Sequence, residues 1–180
     1  FLNALRDSFP KAEIHWIIAK GFEGLLEGHP MINKLWIINK DEWKRVKGAG
    51  TTIKELRSLF KSLKAEKYDI VILSSILHEA KEPVLMLKKA ANVLNSQGIV
   101  YINVPNALSL HRRIGVAMGT LKSQYDFSER DKKFLHERNY DLVSLEKEVK
   151  GAGLKIEHKG GYFIKPLSNS QMKEWDDSLV

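Results

Sequence analysis

The chain has 180 residues and is 43% hydrophobic, enough apolar side chains for one sizeable core. Its lack of cysteine excludes disulfides, thiolate zinc sites and cysteine nucleophiles, and fits a reducing, cytoplasmic setting. The formal charge of +7 is shared between the halves, with 13 basic against 9 acidic residues up to position 70 and 16 against 13 beyond it, so neither half is a basic tail.

In chain order, Phe1 stands where Met would open a protein, inside an amphipathic stretch, so an earlier start is expected. Phe1-Leu2-Asn3-Ala4-Leu5-Arg6 lacks the basic start and apolar core of a signal peptide, and no run approaches the roughly 18 apolar residues of a membrane span. A soluble protein is therefore expected. A helix is predicted over 2–8, a strand over 13–19, a short helix over 22–27 and a strand over 34–39. Asp41 and Glu42 then form an acidic pair in a polar turn. Gly48-Ala49-Gly50-Thr51-Thr52 has the composition of a phosphate cradle but follows a charged stretch rather than a strand, and Thr52 with Glu55 reads as a capping box.

The helix predicted over 52–66 carries an apolar stripe of Ile53, Leu56, Phe60 and Leu63. Beside it run Lys54, Arg57, Lys61 and Lys64, a solvated face or, with Lys44, Arg45 and Lys47, a surface for an anionic membrane. No motif for nucleic acid accompanies these charges. Tyr68 to Ser74 is a nearly continuous apolar run, as in a strand covered on both faces. A helix follows over 83–94, with Pro83 in its first turn and Val84, Leu87, Ala91 and Leu94 on one face. Asn95-Ser96-Gln97-Gly98 predicts its stop, and a strand over 99–104 ends at Pro105-Asn106. Helices are predicted over 108–121 and 142–152, Gly153 closing the second, and two strands over 154–166 turn around Lys159-Gly160-Gly161.

Strands alternating with helices predict a single α/β domain over 1–180, with a Rossmann-like, doubly wound, mostly parallel sheet and an antiparallel edge near the carboxyl terminus. Ligands of such sheets bind beyond the carboxyl ends of the strands, here after Ala19, Asn39, Ser74 and Val104. Among the histidines, His78, His111 and His136 have the ordinary titration range of a general base. The six histidines and the carboxylates show no closely spaced metal-ligand motif, so no metal is expected.

Phe1-Leu2-Asn3-Ala4-Leu5-Arg6, Phe9-Pro10-Lys11-Ala12-Glu13-Ile14 and Lys67-Tyr68-Asp69-Ile70-Val71-Ile72 resemble the amino-terminal domain of lipopolysaccharide heptosyltransferases. That resemblance covers 1–72 and implies an acceptor-binding half-enzyme acting on a glycan at the inner membrane face, which suits the basic helix. The family's catalytic Asp loop and donor domain have no counterpart here.

From 73 to 180 the chain resembles class I S-adenosylmethionine-dependent methyltransferases, through Ile76-Leu77-His78-Glu79-Ala80-Lys81-Glu82-Pro83, Val104-Pro105-Asn106-Ala107, Ser109-Leu110-His111-Arg112-Arg113 and Gly160-Gly161-Tyr162-Phe163-Ile164-Lys165-Pro166. This resemblance implies S-adenosylmethionine as cofactor, with Ser74, Ser75 and His78 on the cofactor side. Asn106, His111, Arg112, Arg113, His136, Arg138 and Tyr140 fall on the side of a small-molecule or glycan acceptor. His78-Glu79 reverses the family's Glu-His order, the Gly-rich cofactor loop is missing, and Lys20 stands where an acidic residue would grip the ribose. The expectation is a composite, methyltransferase-like protein with weak or no cofactor binding. A heptosyltransferase remnant and a non-catalytic recombined fragment are the alternatives.

Overall fold

The computed structural model describes residues 2–38, 49–134 and 136–161, with the backbone alone for 49–56 and Arg130. The chain divides into two compact units, residues 1–60 and 61–180. Each carries helices and a parallel pair of strands, so the protein is α/β.

In the first unit, helix α1 (Leu2–Ser8) precedes strand β1 (His15–Ala19), a 3-10 turn (Glu23–Leu25), strand β2 (Lys34–Ile38) and the start of helix α2 (Ala49–Glu66). β1 and β2 pair in parallel, from His15 opposite Lys34 to Ala19 opposite Ile38. Ile14 is the buried apolar side chain here among the described residues, so directed bonds carry much of the order. The Asn33 side chain accepts from the Ile14 amide at 2.9 Å and the Asn33 amide donates to the Ile14 carbonyl at 2.8 Å, which sets where the two strands begin to pair. The Arg6 guanidinium donates to the carbonyls of Pro10, Ala12 and Met31 at 3.0, 2.7 and 2.9 Å, tying α1 to the approaches of both strands. Only a planar fork with five donors serves three carbonyls in this way.

The second unit holds strand β3 (Tyr68–Ser74), a 3-10 turn (Leu77–Glu79), helix α3 (Pro83–Asn92), strand β4 (Leu94–Asn103) and helices α4 (Leu110–Ala117), α5 (Glu129–Lys133) and α6 (Leu142–Gly151). β3, α3 and β4 form a βαβ unit, with β3 and β4 parallel from Ile70 opposite Ile99 to Ser74 opposite Asn103. Its core is Leu77, Leu87, Tyr140 and Val149, packed against by Leu73, Met86, Ile102, Val104, Leu145, Leu154 and Ile156. Leu145 and Val149 are four apart on α6 and so share the face turned to this core. α6 opens on a capping box: the Asp141 carboxylate accepts from the Ser144 amide at 2.7 Å while the Asp141 amide donates to the Ser144 hydroxyl at 3.0 Å. It closes at Gly153, whose φ of +77° lies in the left-handed region that glycine takes without strain.

Several predicted boundaries change. The helix expected over 22–27 is a single 3-10 turn, and that expected over 108–121 is shorter. α3 ends at Asn92, and β4 begins at Leu94 rather than at Ile99. The turn chemistry of Asn95 to Gly98 survives as an irregularity inside the strand: Tyr68 pairs with Leu94, then Ile70 with Ile99, and the residues between are pushed out of register. The Asn95 side chain accepts from the Gln97 amide at 2.8 Å. A Cβ on Gly98 would lie 2.8 Å from the Leu94 Cβ and 3.0 Å from the Tyr68 carbonyl, so the excursion needs glycine. α2 already begins at Ala49, which puts Thr52 inside the helix instead of at its cap. No strand forms over 154–161, where an antiparallel edge was expected, and the rest of that hairpin, with Asp41, Glu42, Lys44, Arg45 and Lys47, lies outside the described residues. The 3-10 turn at Leu77 and helix α5 were not anticipated.

Two outcomes follow. Leu87 is fully buried whereas Leu85, on the same helix, is 46% exposed. In urea unfolding Leu87→Ala is expected to cost about 2–5 kcal/mol and Leu85→Ala under about 0.5 kcal/mol. The second outcome concerns Asp141, whose carboxyl is lowered to about 2 by the Ser144 hydroxyl first, then the Tyr125 hydroxyl and the Ser144 amide. A lowered folded pKa stabilises the native state above the unfolded value near 4 and loses that effect as pH falls toward about 2. Asp141→Ala should therefore unfold about 1 kcal/mol more easily at neutral pH. Melting curves should show its deficit shrinking from about pH 4 to about pH 2.

Candidate functional site

β3 ends at Ser74, and Ser75 takes a φ of +50°, unusual for a residue with a side chain, which turns the backbone sharply off the strand. Asn103, paired with Ser74 at the end of β4, holds this turn. Its side-chain oxygen accepts from the Ser75 amide at 2.9 Å and the Ser75 hydroxyl at 3.2 Å, and its amide donates to the Ser74 hydroxyl at 3.1 Å. The two strand ends thus share one exposed polar knot. Asn103 escaped the sequence reading because its partners lie far away in sequence; its place as the last polar residue before Val104-Pro105 was the available signal.

The 3-10 turn that follows buries Leu77 and His78 and leaves Glu79 exposed. The His78 carbonyl accepts from the amides of Glu137 and Arg138 at 2.9 and 3.4 Å. The Arg138 guanidinium donates to the carbonyls of Ala80 and Lys81 at 2.9 and 3.0 Å and pairs with Glu148 at 3.3 Å. Residues 136–138 are thereby docked along the turn, and the His136 ring meets the His78 ring edge to face, with centroids 4.3 Å apart.

Asp131 on α5 supports His136. Its carboxylate accepts from the Ser128 amide and hydroxyl at 2.8 Å each and lies 3.1 Å from His136 Nδ1, with the Arg112 guanidinium 3.5 Å away. Burial works to raise the Asp131 carboxyl, but the Ser128 bonds, His136 and Arg112 outweigh it and hold it below the usual carboxylate range. Burial, joined by His136, lowers the His78 imidazole, against the opposing pull of Glu79 and Asp131. His78 is 5% exposed and its Nδ1, fully buried, has no hydrogen-bond partner. Such an orphan costs on the order of 1–3 kcal/mol.

Of the residues singled out in the sequence, His78, His136 and Arg138 come together, with Arg112 joined through Asp131. Ser74 and Ser75 are bound into the neighbouring knot. His111 shares a bond with Ser109 at 3.1 Å, and Arg113 is exposed. Tyr140 is a core residue, 2% exposed, its phenol raised by burial and then by Glu148, against Arg138. Its carbonyl accepts from the Ala107 amide at 2.6 Å, and the Asn106 side chain accepts from the Leu108 amide at 2.8 Å, so both residues brace the exit of β4. Arg57, Lys61 and Lys64 are exposed on α2, while the Lys54 side chain lies outside those described. No described helix is long and apolar enough to cross a membrane.

Chemically the cluster offers two imidazoles and a carboxylate. One donor atom from each of His78, Glu79 and His136 lies within 4.8 Å of the others. The sequence suggested no metal-ligand motif because these donors come from distant segments, and the fold supplies the proximity that spacing did not. No protein-family model and no curated protein matches the chain.

The docking of residues 136–138 has a measurable consequence. Arg138→Ala should lower the unfolding free energy by about 1 kcal/mol, from the loss of charge-assisted bonds to the Ala80 and Lys81 carbonyls. Amide exchange at Glu137 and Arg138 should quicken in the variant while exchange within β1 stays unchanged.

Proposed function

We propose that this chain is a methyltransferase-like protein of the class I S-adenosylmethionine-dependent type, with a reduced cofactor site and no efficient turnover. The observation that carries this reading is the β3–α3–β4 unit, whose parallel strands end side by side at Ser74 and Asn103. That is the edge at which doubly wound sheets bind ligands. The fold implied is a Rossmann-like, doubly wound, mostly parallel sheet, of which this βαβ unit is one repeat.

S-adenosylmethionine, when bound, supplies an electrophilic methyl group to a nucleophile held in line behind it. What the residues of this chain contribute is position. The Ser74 and Ser75 hydroxyls and the Asn103 amide present polar atoms at the strand ends, and the half-buried His136 ring has the Asp131 carboxylate beside its Nδ1. The remaining requirements of the cofactor fit poorly. The resemblance puts Lys20 where an acidic residue would grip the ribose, and no Gly-rich phosphate-type loop accompanies it. The Lys20 amide is itself committed to the Ile38 carbonyl at 2.8 Å. Affinity is accordingly expected to be low.

Titration of the isotopically labelled protein with S-adenosylmethionine, followed by amide chemical shifts, tests the reading. Shifts confined to the neighbourhood of Ser74, Ser75 and Asn103, saturating with a Kd on the order of 1 mM, are expected. They should weaken severalfold in Asn103→Ala. Unmoved strand-end amides at several-millimolar cofactor would overturn it.

A further inference from the structure

The cluster of His78, Glu79 and His136 has a second property, independent of whether the chain binds S-adenosylmethionine. We propose that these three residues form a site for one divalent transition-metal ion of the zinc or cobalt class, with two imidazole nitrogens and a carboxylate oxygen as ligands. Two imidazoles and a carboxylate satisfy three positions of a tetrahedral ion and leave the fourth to water or to a ligand.

Three observations converge on this. The donor atoms already lie within 4.8 Å of one another, so shifts of side-chain torsions suffice to bring them to a common ion. His136 has the carboxylate neighbour that metal-binding histidines commonly have: an Asp131 oxygen lies 3.1 Å from its Nδ1, and Asp131 is itself held by Ser128 and faced by Arg112. His78 lies more than nine-tenths buried with its Nδ1 unpartnered, although buried imidazole nitrogens ordinarily find a donor or acceptor. A bound cation supplies the missing partner to the ring and offsets the crowding of two imidazoles at 4.3 Å. Glu79 adds the negative charge, and being exposed it also leaves the ion open to solvent. The ligands come from the turn after β3 and from the segment after α5, so an ion would cross-link the two parts of the second unit already joined by the His78 carbonyl.

The test uses the whole chain and Co2+ as the probe, read by visible ligand-field absorption, with Zn2+ following by competition. The wild-type protein should bind one Co2+ per chain with a spectrum of four or five ligands, and Zn2+ should displace it. Glu79→Gln, at an exposed position where packing is not at stake, should weaken binding at least tenfold, and His136→Gln more. Asp131→Asn, which keeps the ligands but loses their orientation, should weaken it about 10- to 100-fold. His158→Gln, which removes an exposed histidine elsewhere, should change nothing. Circular dichroism establishes that each variant is folded. Binding no tighter in the wild type than in the double variant Glu79→Gln/His136→Gln would overturn the proposal. So would a loss caused equally by His158→Gln.

Discussion

The backbone carbonyl of His78 is the point on which the second unit depends. The 3-10 turn after β3 buries Leu77 and His78, and the backbone polar groups beside them need partners. The amides of Glu137 and Arg138 and the Arg138 guanidinium meet that need at His78, Ala80 and Lys81. The consequence reaches beyond the turn, because a segment held in this way carries Tyr140 into the core beside Leu77 and Leu87. Asp141 then follows at the cap of α6, and the Tyr140 carbonyl receives the Ala107 amide from the exit of β4. One set of backbone bonds thus ties both strand ends, the core and α6 together.

The same docking creates the electrostatics of the site. With residues 136–138 fixed, the His136 ring stands edge to face against His78, and burial followed by His136 lowers the His78 imidazole. Asp131 sets its carboxylate 3.1 Å from His136 Nδ1 and has Ser128 and Arg112 as its own partners, which with His136 hold its carboxyl below the usual range. No equivalent partner reaches the buried Nδ1 of His78. The asymmetry between a supported imidazole and an orphaned one distinguishes the cluster from a packed aromatic pair. Arg138 and Glu148, by contrast, form a structural ion pair whose other bonds all go to backbone.

Much of the fold was legible along the chain because its signals are local. The apolar run from Tyr68 to Ser74, Pro83 opening α3, and Gly153 closing α6 each specify backbone geometry through nearby atoms, and each element was found close to its predicted limits. Errors arose where distant pairing overrode local chemistry. Asn95 to Gly98 is turn-like by composition, yet pairing of Leu94 with Tyr68 keeps it within a strand. Arg112, Arg138 and Tyr140 looked like binding residues by type, and the folded chain spends them on Asp131, on the Ala80 and Lys81 carbonyls, and on the core. Asn103 carried only its place before Val104-Pro105 as a mark in the sequence, since its role consists of bonds to Ser74 and Ser75 across a strand pair.

By itself, then, the sequence determined the order of helices and strands from α1 to β4 apart from the 3-10 turns, the parallel βαβ character of residues 68–103 and the presence of His78 beyond a strand end, which follow from periodicity and turn chemistry within a few residues. Only the tertiary structure decided that His136 would stand against His78, that Asp131 would orient it, and that Glu79 would complete a three-donor cluster. The reason is that spacing along a chain carries no information about separation in space once a long connection intervenes. That separation is set by where buried carbonyls find their donors, and here they find them in Glu137 and Arg138.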